Sequence, residues 1–330
     1  MLNSKLIDQY NRHLNYLRIS ITDQCNLRCI YCMPRDLIPK LPHKEILRYE
    51  EILRIVTVGV RLGISKVRVT GGEPLFRRGV YDFLSQLTQI DGLSDVSLTT
   101  NGVLLKDNIH KIKSAGIHRI NISVDTLNRE KFRQITGHDY FDKIWEGIEL
   151  AQEMSFEPIK LNVVPMQGIN DDELIEIAGL SFSYPFHIRF IEYMPMGTAQ
   201  IERDRQLLAD EIKTRIHTLG KLTPVEKKIN DGPAERYKFE GAVGEIGFIR
   251  PISRHFCNTC NRLRLTASGQ LRPCLLSDYR EDIKGPLRKG GSDSELAEIF
   301  LNAVRCKPSE HSLVGDQTNE FSGQMCAIGG

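Results

Sequence analysis

The feature that most constrains the fold is a regular alternation of short β-rich runs with longer helical patterns over the first two thirds of the 330-residue chain. The β-rich runs are predicted to be strands, and the segments between them have the apolar spacing of helices. Strands that alternate with helices form a parallel sheet, since each helix carries the chain back to the edge where the next strand begins. The predicted strands cover residues 16–22, 66–70, 95–100, 118–126, 159–166 and 187–194.

One face of most predicted strands is polar, although buried parallel strands are normally apolar throughout. Its residues repeat at every second position and so point to the same side. They are Arg18, Ser20, Thr22, Arg68, Thr70, Ser97, Thr99, Asn121, Ser123, Asp125, Lys160 and Asn162. A closed eight-stranded barrel would fill that interior with branched apolar residues. We therefore predict an α/β fold, an incomplete (open) TIM-type barrel of about six β/α units, with a basic lumen that holds an anionic ligand.

The pattern changes beyond about residue 222. Residues 227–241 form a polar connection, and short strands are predicted at 244–253 and 261–276, the latter a hairpin that turns at 267–269. A last helix begins at Ser292 with Glu295 in a capping box, and Asn170 with Glu173 predicts a similar box earlier. We therefore expect a partial-barrel domain at residues 1–222 and a small C-terminal α+β extension at 223–330.

Charge and targeting features exclude several classes of protein. The formal net charge is only +2, from 44 Lys+Arg and 42 Asp+Glu, which argues against nucleic-acid binding through bulk charge. The first residues lack the apolar segment of a secretory signal, and no run approaches the about 18 apolar residues of a membrane span. We expect a cytoplasmic protein, and in that reducing compartment grouped cysteines indicate metal or redox chemistry.

The first cysteine group follows the first predicted strand, at the end where parallel α/β folds place their active sites. It consists of Cys25, Cys29 and Cys32, spaced C-x3-C-x2-C. Three thiolates can bind three irons of a [4Fe–4S] cube, which normally takes four cysteines, and so leave one iron open. A structural zinc site usually takes four protein ligands in closely paired motifs. The spacing therefore favours a cluster.

Two further features accompany this spacing: Tyr31 precedes the last cysteine, and a Thr-Gly-Gly-Glu-Pro run occupies residues 70–74. With them, the chain resembles the radical S-adenosylmethionine superfamily. The resemblance implies that the open iron binds the amino and carboxylate groups of S-adenosylmethionine and that the reduced cluster cleaves it to methionine and a 5′-deoxyadenosyl radical. We expect the glycines to allow close backbone approach and Glu73 to accept from the ammonium group of this ligand.

The second cysteine group spans the predicted hairpin. It consists of Cys257, Cys260 and Cys274, spaced C-x2-C-x13-C. Spacing alone leaves an iron–sulfur cluster and a structural zinc site about equally open, with His255, Cys306 or Cys326 as the fourth zinc ligand. Cys306 and Cys326 lie in no paired motif and receive no assigned role.

Two three-cysteine groups that flank six β–α units resemble, over essentially the whole chain, the GTP 3′,8-cyclase family of molybdenum-cofactor (molybdopterin) biosynthesis. Further matching elements are Arg262-Leu-Arg264, the Thr-Thr-Asn-Gly run at 99–102, the Ser-Val-Asp run at 123–125, the Ile-Glu-Tyr-Met run at 191–194 and the terminal Gly329-Gly330. The resemblance implies a second [4Fe–4S] cluster whose open iron contacts the guanine of GTP, while basic residues hold the triphosphate.

Site residues follow from the matching motif positions. The resemblance implies that S-adenosylmethionine is contacted by Tyr31, Gly72, Ser123 and Met194, together with Glu73. It implies that GTP is contacted by Arg18, Arg68, Thr99, Lys160, Arg262 and Arg264, and Arg189 is a further phosphate candidate. Gly329 and Gly330 would form a tail that reaches into the active site.

The implied reaction is a radical cyclisation. The 5′-deoxyadenosyl radical takes the ribose C3′ hydrogen of GTP, the C3′ radical adds to guanine C8, and reduction gives (8S)-3′,8-cyclo-7,8-dihydro-GTP. The resemblance also implies a homodimer, a low-potential electron donor and a downstream pterin-forming enzyme, with no membrane or nucleic-acid partner.

Two alternatives stand beside this hypothesis. One is a radical S-adenosylmethionine enzyme that modifies a peptide with the help of an auxiliary cluster, although such enzymes usually have longer C-terminal cysteine motifs. The other is a non-catalytic zinc or iron–sulfur protein that binds nucleotide, against which Tyr31 and the Gly-Gly-Glu-Pro run argue.

Overall fold

The computed structural model describes residues 5–32, 40–195, 203–226, 232–311 and 325–329. The strands in these ranges are β1 (Tyr16–Ser20), β2 (Lys66–Thr70), β3 (Asp95–Thr100), β4 (Ile120–Ser123), β5 (Ile159–Val163), β6 (His187–Ile191), β7 (Leu222–Pro224), β8 (Glu235–Phe239), β9 (Glu245–Ile249), β10 (Arg262–Leu265), β11 (Gln270–Arg272) and β12 (Glu281–Asp282). The helices are α1 (Tyr49–Arg61), α2 (Val80–Thr88), α3 (Leu105–Ser114), α4 (Arg129–Thr136), α5 (Phe141–Glu153), α6 (Leu174–Ser183), α7 (Ala209–Ile216), α8 (Lys284–Arg288), α9 (Asp293–Arg305) and α10 (Met325–Ile328).

These strands form one sheet in the order β12-β11-β10-β1-β2-β3-β4-β5-β6-β9-β8-β7. The central run from β10 to β9 is parallel throughout, and β11 and β8 continue it as antiparallel neighbours. Among the described strands, the two ends of this order, β12 and β7, do not pair with each other. The predicted open α/β barrel is therefore confirmed.

Alternate residues of the parallel strands face opposite sides of the sheet. On the side covered by the helices, Leu17, Ile19, Val67, Val69 and Ile120 are completely buried and belong to the main apolar core. On the other side, the strand register places polar residues in rows across the sheet. One row joins Arg264, Arg18, Arg68 and Ser97, and another joins Asn121, Lys160 and His187. The predicted polar lumen is thus confirmed.

The chain beyond residue 222 adds to both edges of the six-stranded sheet. Strand β10 pairs with β1, and β9 pairs with β6. The prediction of a connection at 227–241 was wrong at its C-terminal part, where β8 pairs with β9. Strand β8 is only half-buried and carries charged residues, so its own pattern is weak. The ion pair between Arg236 and Glu245 of β9, with a 2.7 Å Nε–Oε2 distance, supports it instead. The division into residues 1–222 and 223–330 stays a prediction.

The two predicted capping boxes have different outcomes. At α9 the Ser292 hydroxyl accepts from the Glu295 amide at 3.2 Å, and the Glu295 carboxylate accepts from the Ser292 amide at 2.6 Å, so this box is confirmed. The box at Asn170 and Glu173 was wrong. The Asn170 side chain accepts from the Met166 amide at 2.7 Å, and Glu173 accepts from Thr126. Both side chains therefore join neighbouring loops, and α6 begins only at Leu174.

A close backbone approach fixes the loop that leads to Cys25. The Gly72 amide donates to the Thr22 carbonyl, and the Glu73 amide donates to the Gln24 carbonyl, each at 2.7 Å. A Cβ on Gly72 would lie 2.3 Å from the carbonyl oxygen of Gln24. Only glycine therefore lets the 70–74 turn pack directly on this loop.

We predict that Gly72→Ala destabilises the protein by about 1–3 kcal/mol, because the added methyl group must displace backbone atoms. Gly179→Ala in α6 is the matched control, since a Cβ there meets no atom within 4 Å and alanine favours a helix by up to about 1 kcal/mol. Denaturant unfolding of both variants measures the difference. A Gly72→Ala protein as stable as Gly179→Ala would contradict this account of the turn.

Candidate functional site

A cavity of about 260 Å³ lies within the barrel. Its basic lining residues are Arg18, Lys66, Arg68, Arg119, Lys160, Arg189, Arg262 and Arg264. The carboxylates in the described lining are those of Asp125 and Glu192. A cavity with this excess of positive charge attracts and concentrates a polyanionic ligand.

The two cysteine groups lie at opposite ends of the parallel strands. The first group follows the C-terminal end of β1, whereas Cys257 and Cys260 precede β10, which runs parallel to β1. Cys274 follows β11, the antiparallel partner of β10, and so returns to the end where Cys260 lies. All three cysteines of the second group line the cavity, and Tyr31 lines it from the loop of the first group. The cavity therefore extends between the two groups.

Burial dominates the electrostatics of the first group. It raises the pKa of Cys25 and raises that of Cys29 well above its usual value, with Cys32 and Asp125 adding to the effect at Cys29. The Asn101 amide nitrogen lies 3.6 Å from the Cys25 sulfur. These thiols therefore resist ionisation until a bound metal replaces their protons.

The loop of the first group is held to the ends of neighbouring elements. The Tyr31 hydroxyl donates to Asp125 Oδ2 at 2.7 Å, and the Val164 amide donates to Asp125 Oδ1 at 2.9 Å. The Arg28 amide donates to the carbonyl of Thr136, the last residue of α4, at 2.8 Å. Burial raises the pKa of Asp125 to about 6. Asp125 thus joins the cysteine loop to the exits of β4 and β5.

The second group lies in a more positive environment. Burial alone would raise the pKa of Cys260, but the charges of Arg262 and Lys307 outweigh it and lower the pKa to about 6. Burial raises the pKa of Cys257, against an opposing effect of Lys307. The electrostatics of this group therefore favour a thiolate at Cys260.

The donor set of each cysteine group bears on which metal group it could hold. Within the described parts of the chain, no three His, Cys, Asp or Glu side chains lie close enough to share one metal ion. A zinc ion bonds sulfur at about 2.3 Å, so its thiolates must crowd around one point. In a [4Fe–4S] cube each cysteine binds a different iron, which spreads the thiols apart. Each group offers three thiols, which is the donor set of a cube with one open iron.

Burial and neighbouring cations act together on two basic residues of the cavity, Lys160 and Arg189. Burial and the nearby Arg189 lower the pKa of Lys160 to about 6, and burial and Arg68 lower that of Arg189 to about 9. Among the described residues, Lys160 and Arg189 form no ion pair, and the buried hydroxyl of Thr99 has no hydrogen-bond partner. These groups are arranged to meet an anion and a hydrogen-bonding group from outside the chain.

Gly72 and Glu73 lie beneath the loop of the first group and are not among the described cavity-lining residues. Glu73 is fully buried, and its carboxylate accepts from the Leu75 amide at 3.0 Å, the Thr100 hydroxyl at 2.9 Å and the Asn101 amide at 2.7 Å. Burial raises its pKa to about 7. The carboxylate thus connects the end of β3 to the 70–74 turn. Contact between Glu73 and the ammonium group of a ligand stays a prediction.

The C-terminal tail enters the barrel. The Gly329 carbonyl accepts a hydrogen bond from Arg264, and a Cβ on Gly329 would lie 3.0 Å from the Thr70 hydroxyl and 3.3 Å from Ser20 Cβ. Gly329 also has φ of +79°, which favours glycine. Gly330 lies outside the described residues. Arg264, predicted from the sequence to bind GTP, is therefore also the contact that seats the tail.

The remaining predicted site residues Arg18, Arg68, Thr99, Ser123, Met194 and Arg262 all line the cavity, as does His255. Cys306 is exposed at the end of α9. Sequence reasoning missed Lys66 and Arg119, whose amino and guanidinium groups lie 2.9 and 3.0 Å from the same oxygen of Asp95. Lys66 precedes Arg68 by two residues, so the alternation rule contained the signal for it.

Comparisons with known proteins agree with this arrangement. Residues 19–180 match the family model described as Radical SAM superfamily, and residues 186–313 match the one described as Molybdenum Cofactor Synthesis C. Proteins named GTP 3′,8-cyclase are 50% identical in Thermodesulfovibrio yellowstonii, covering 92% of this chain and 96% of the relative, and 48% identical in Moorella thermoacetica, covering 93% and 95%. Another from Heliobacterium modesticaldum is 45% identical over 98% of this chain and all of the relative's length (100%).

Two solved structures share the fold. Streptococcus suis SuiB bound to S-adenosylmethionine has a TM-score of 0.61 at 15% identity, covering 88% of this chain and 69% of that one. The structure of native anSMEcpe with bound AdoMet has a TM-score of 0.58 at 16% identity, covering 90% and 82%. At these identities the likeness shows the fold alone and does not favour the peptide-modifying alternative.

Among the described residues, no helix has the length and apolar character needed to cross a bilayer. High identity over nearly the full length, in a chain with both matched regions and both cysteine groups, decides the family. The chain belongs to the GTP 3′,8-cyclase family of the radical S-adenosylmethionine superfamily.

Proposed function

We propose that this protein converts GTP to (8S)-3′,8-cyclo-7,8-dihydroguanosine 5′-triphosphate, the first step of molybdenum-cofactor biosynthesis, with reductive cleavage of S-adenosylmethionine. The observation that carries the proposal is the basic cavity that extends between two three-cysteine groups at opposite ends of one barrel. A nucleoside triphosphate offers both the negative charge that this cavity lacks and a base that can reach the second group.

Cys25, Cys29 and Cys32 would hold one [4Fe–4S] cluster, and a second would be held by Cys257, Cys260 and Cys274. When bound, the first cluster supplies the electron that cleaves S-adenosylmethionine and so provides the 5′-deoxyadenosyl radical that takes hydrogen from the substrate. Because the second group lines the cavity, a cluster held by these cysteines would be accessible to the guanine base. The barrel wall separates the reacting groups from bulk water.

The S-adenosylmethionine site would lie at the C-terminal ends of the strands. Tyr31, Ser123 and Met194 line the cavity from the loop of the first group, β4 and the segment after β6. Gly72 and Glu73 would support this site from below, where they set the position of the loop that carries Cys25. The hydrogen bond from Tyr31 to Asp125 holds the tyrosine ring toward the cavity.

The triphosphate of GTP would lie among the basic side chains that line the cavity. The proposed contacts are Arg18, Arg68, Thr99, Lys160, Arg189, Arg262 and Arg264, all of which line the cavity. The guanidinium groups suit phosphate oxygens because they offer several donors in a fixed plane. Gly329 and Gly330 would close the site as a tail whose lack of side chains leaves room for the ligands.

We further propose that the reaction takes place in the cytoplasm, in a homodimer that receives electrons from a low-potential donor. Its product would pass to a pterin-forming enzyme. No nucleic-acid or membrane partner is part of this proposal.

Formation of 5′-deoxyadenosine should depend on GTP in anaerobically reconstituted protein supplied with S-adenosylmethionine and reductant. Cys25→Ser should abolish it, because the first group then loses one of its three ligands. Cys260→Ser should remove the stimulation by GTP while slow uncoupled cleavage continues. Cys306→Ser is the matched control and should behave as the native protein, since this thiol is exposed and outside the cavity. Chromatographic measurement of 5′-deoxyadenosine gives the result, and equal formation with and without GTP would sink the proposal.

GTP binding should take up a proton at Lys160. Its pKa of about 6 leaves this side chain mostly neutral above pH 7, and an adjacent triphosphate favours the charged form and raises the pKa. Proton uptake means that affinity falls as pH rises between the free and bound pKa values, by at most about tenfold per pH unit. Calorimetry in two buffers with different ionisation enthalpies measures the uptake.

Lys160→Met provides the control for this experiment, because it removes the titrating amine and leaves the protonation of the nucleotide itself. The variant should take up about one proton less than the native protein near pH 7.5. The same uptake in both proteins would show that Lys160 does not face the bound phosphates.

A further inference from the structure

A short segment after α9, residues 307–311, packs beside the second cysteine group. The proposed mechanism assigns no role to this segment. Its first residue, Lys307, is only 2% exposed. The Lys307 ammonium donates to the carbonyl of Arg262 at 2.9 Å and to the carbonyl of Pro273 at 2.5 Å. Arg262 is the first residue of β10 and Pro273 directly follows β11, so the Lys307 side chain connects the two arms of the hairpin.

The two acceptors lie next to cysteines of the second group. Arg262 is two residues beyond Cys260, and Pro273 directly precedes Cys274. The ammonium group therefore fixes the distance between the two stretches of chain that carry these thiols. Loss of the ammonium would leave two buried carbonyls without this donor.

The rest of the segment is held against the third cysteine. The Arg12 guanidinium donates to the carbonyl of Cys257 at 2.7 Å and to those of Pro308 at 2.6 Å and Ser309 at 3.1 Å. Arg12 thus joins the 307–311 segment to Cys257, and Lys307 joins it to the chain beside Cys260 and Cys274.

The charge of Lys307 has no carboxylate counterpart among the described residues. Arg12 differs in this respect, since its guanidinium pairs with Asp8 at 2.6 Å. Two carbonyl groups satisfy the hydrogen bonds of an ammonium but not its charge, and a buried uncompensated charge is unfavourable. The two carbonyls that Lys307 binds place its charge beside Cys260 and Cys274, because Arg262 and Pro273 lie two residues and one residue from these cysteines.

We propose that Lys307 is a positioning residue for the second iron–sulfur cluster, which sets the arrangement of Cys260 and Cys274 and compensates the negative charge of the cluster and its thiolates. The inference rests on the second cluster of the proposed function. A nearby positive charge stabilises the reduced cluster more than the oxidised one, because the reduced cluster carries one more negative charge. Lys307 therefore raises the reduction potential of the second cluster.

The test uses the full chain with Cys25→Ser, Cys29→Ser and Cys32→Ser, so that any remaining cluster belongs to the second group. Lys307→Met, Lys307→Arg and, as the surface control, Lys289→Met are compared in this background. Iron and sulfide are counted after anaerobic reconstitution, and a redox titration followed by electron paramagnetic resonance measures the potential without GTP.

Lys307→Met should raise the oxidised-to-reduced ratio at a fixed ambient potential by about tenfold, which for a one-electron couple is about 59 mV. It should also lower the iron retained on gel filtration. Lys307→Arg keeps the charge and should keep the potential close to that of the parent, as should Lys289→Met, whose side chain is exposed.

The outcomes distinguish failure of the role of Lys307 from failure of the second cluster itself. Native potential and iron retention in Lys307→Met would overturn the role of Lys307 while the second cluster stands. About four irons in the chain with all eight cysteines, in place of about eight, would overturn the second cluster itself. If Lys307→Met retains no cluster, Lys307→Arg decides: a cluster with the parent potential supports charge compensation, and loss of the cluster in both variants overturns it.

Discussion

Mutual repulsion of buried positive charges is the constraint on which the rest of this site depends. The period-two geometry of the strands brings Arg18, Arg68 and Arg264 side by side in one row of the lumen. The repulsion is visible at Lys160 and Arg189, whose pKa values are lowered by burial and by neighbouring cations. Such an interior is costly for a free chain and becomes favourable only when a polyanion enters. The positive charge of the lumen therefore favours a polyanionic ligand independently of any specific hydrogen bond.

The parallel sheet places the two cysteine groups at opposite ends of its strands. Parallel strands place the exit of β1 at one end and the entry to β10 at the other, and each end carries three cysteines. The β10–β11 hairpin returns Cys274 to Cys260, so a wide sequence separation becomes one group. A substrate held along the cavity can therefore contact one group with its base while its sugar faces the other. Arg264 lines the cavity and also donates a hydrogen bond to the tail at Gly329.

The architecture and much of the lumen were predictable because both follow from short-range periodicity. The alternation of elements predicted the parallel sheet, and its polar positions predicted Arg18, Thr99 and Lys160 as lining residues. Long-range contacts were not predictable in this way. Strand β8 depends on pairing with β9, and Asn170 binds neighbouring loops in preference to capping α6.

Gly72 and Lys307 show the same limit at the site itself. Contact of Gly72 with a ligand stays a prediction, and the structure shows in addition that this glycine packs against the backbone of Gln24. Lys307 contacts carbonyl groups 45 and 34 residues away in sequence, and no local pattern distinguishes it from a surface lysine. The roles of Gly72 and Lys307 depend on burial and on contacts with distant parts of the chain, which are defined only in the folded protein.

The proposed function requires that GTP lies in the cavity with its ribose toward the first cysteine group and its base toward the second. The most direct measurement is a single-turnover anaerobic reaction with GTP that carries deuterium at ribose C3′, followed by mass spectrometry of the 5′-deoxyadenosine. Deuterium from C3′ should appear in the 5′-deoxyadenosine if the ribose faces the first cysteine group. Unlabelled 5′-deoxyadenosine from this substrate, with deuterium transferred instead from GTP labelled at another position, would contradict it.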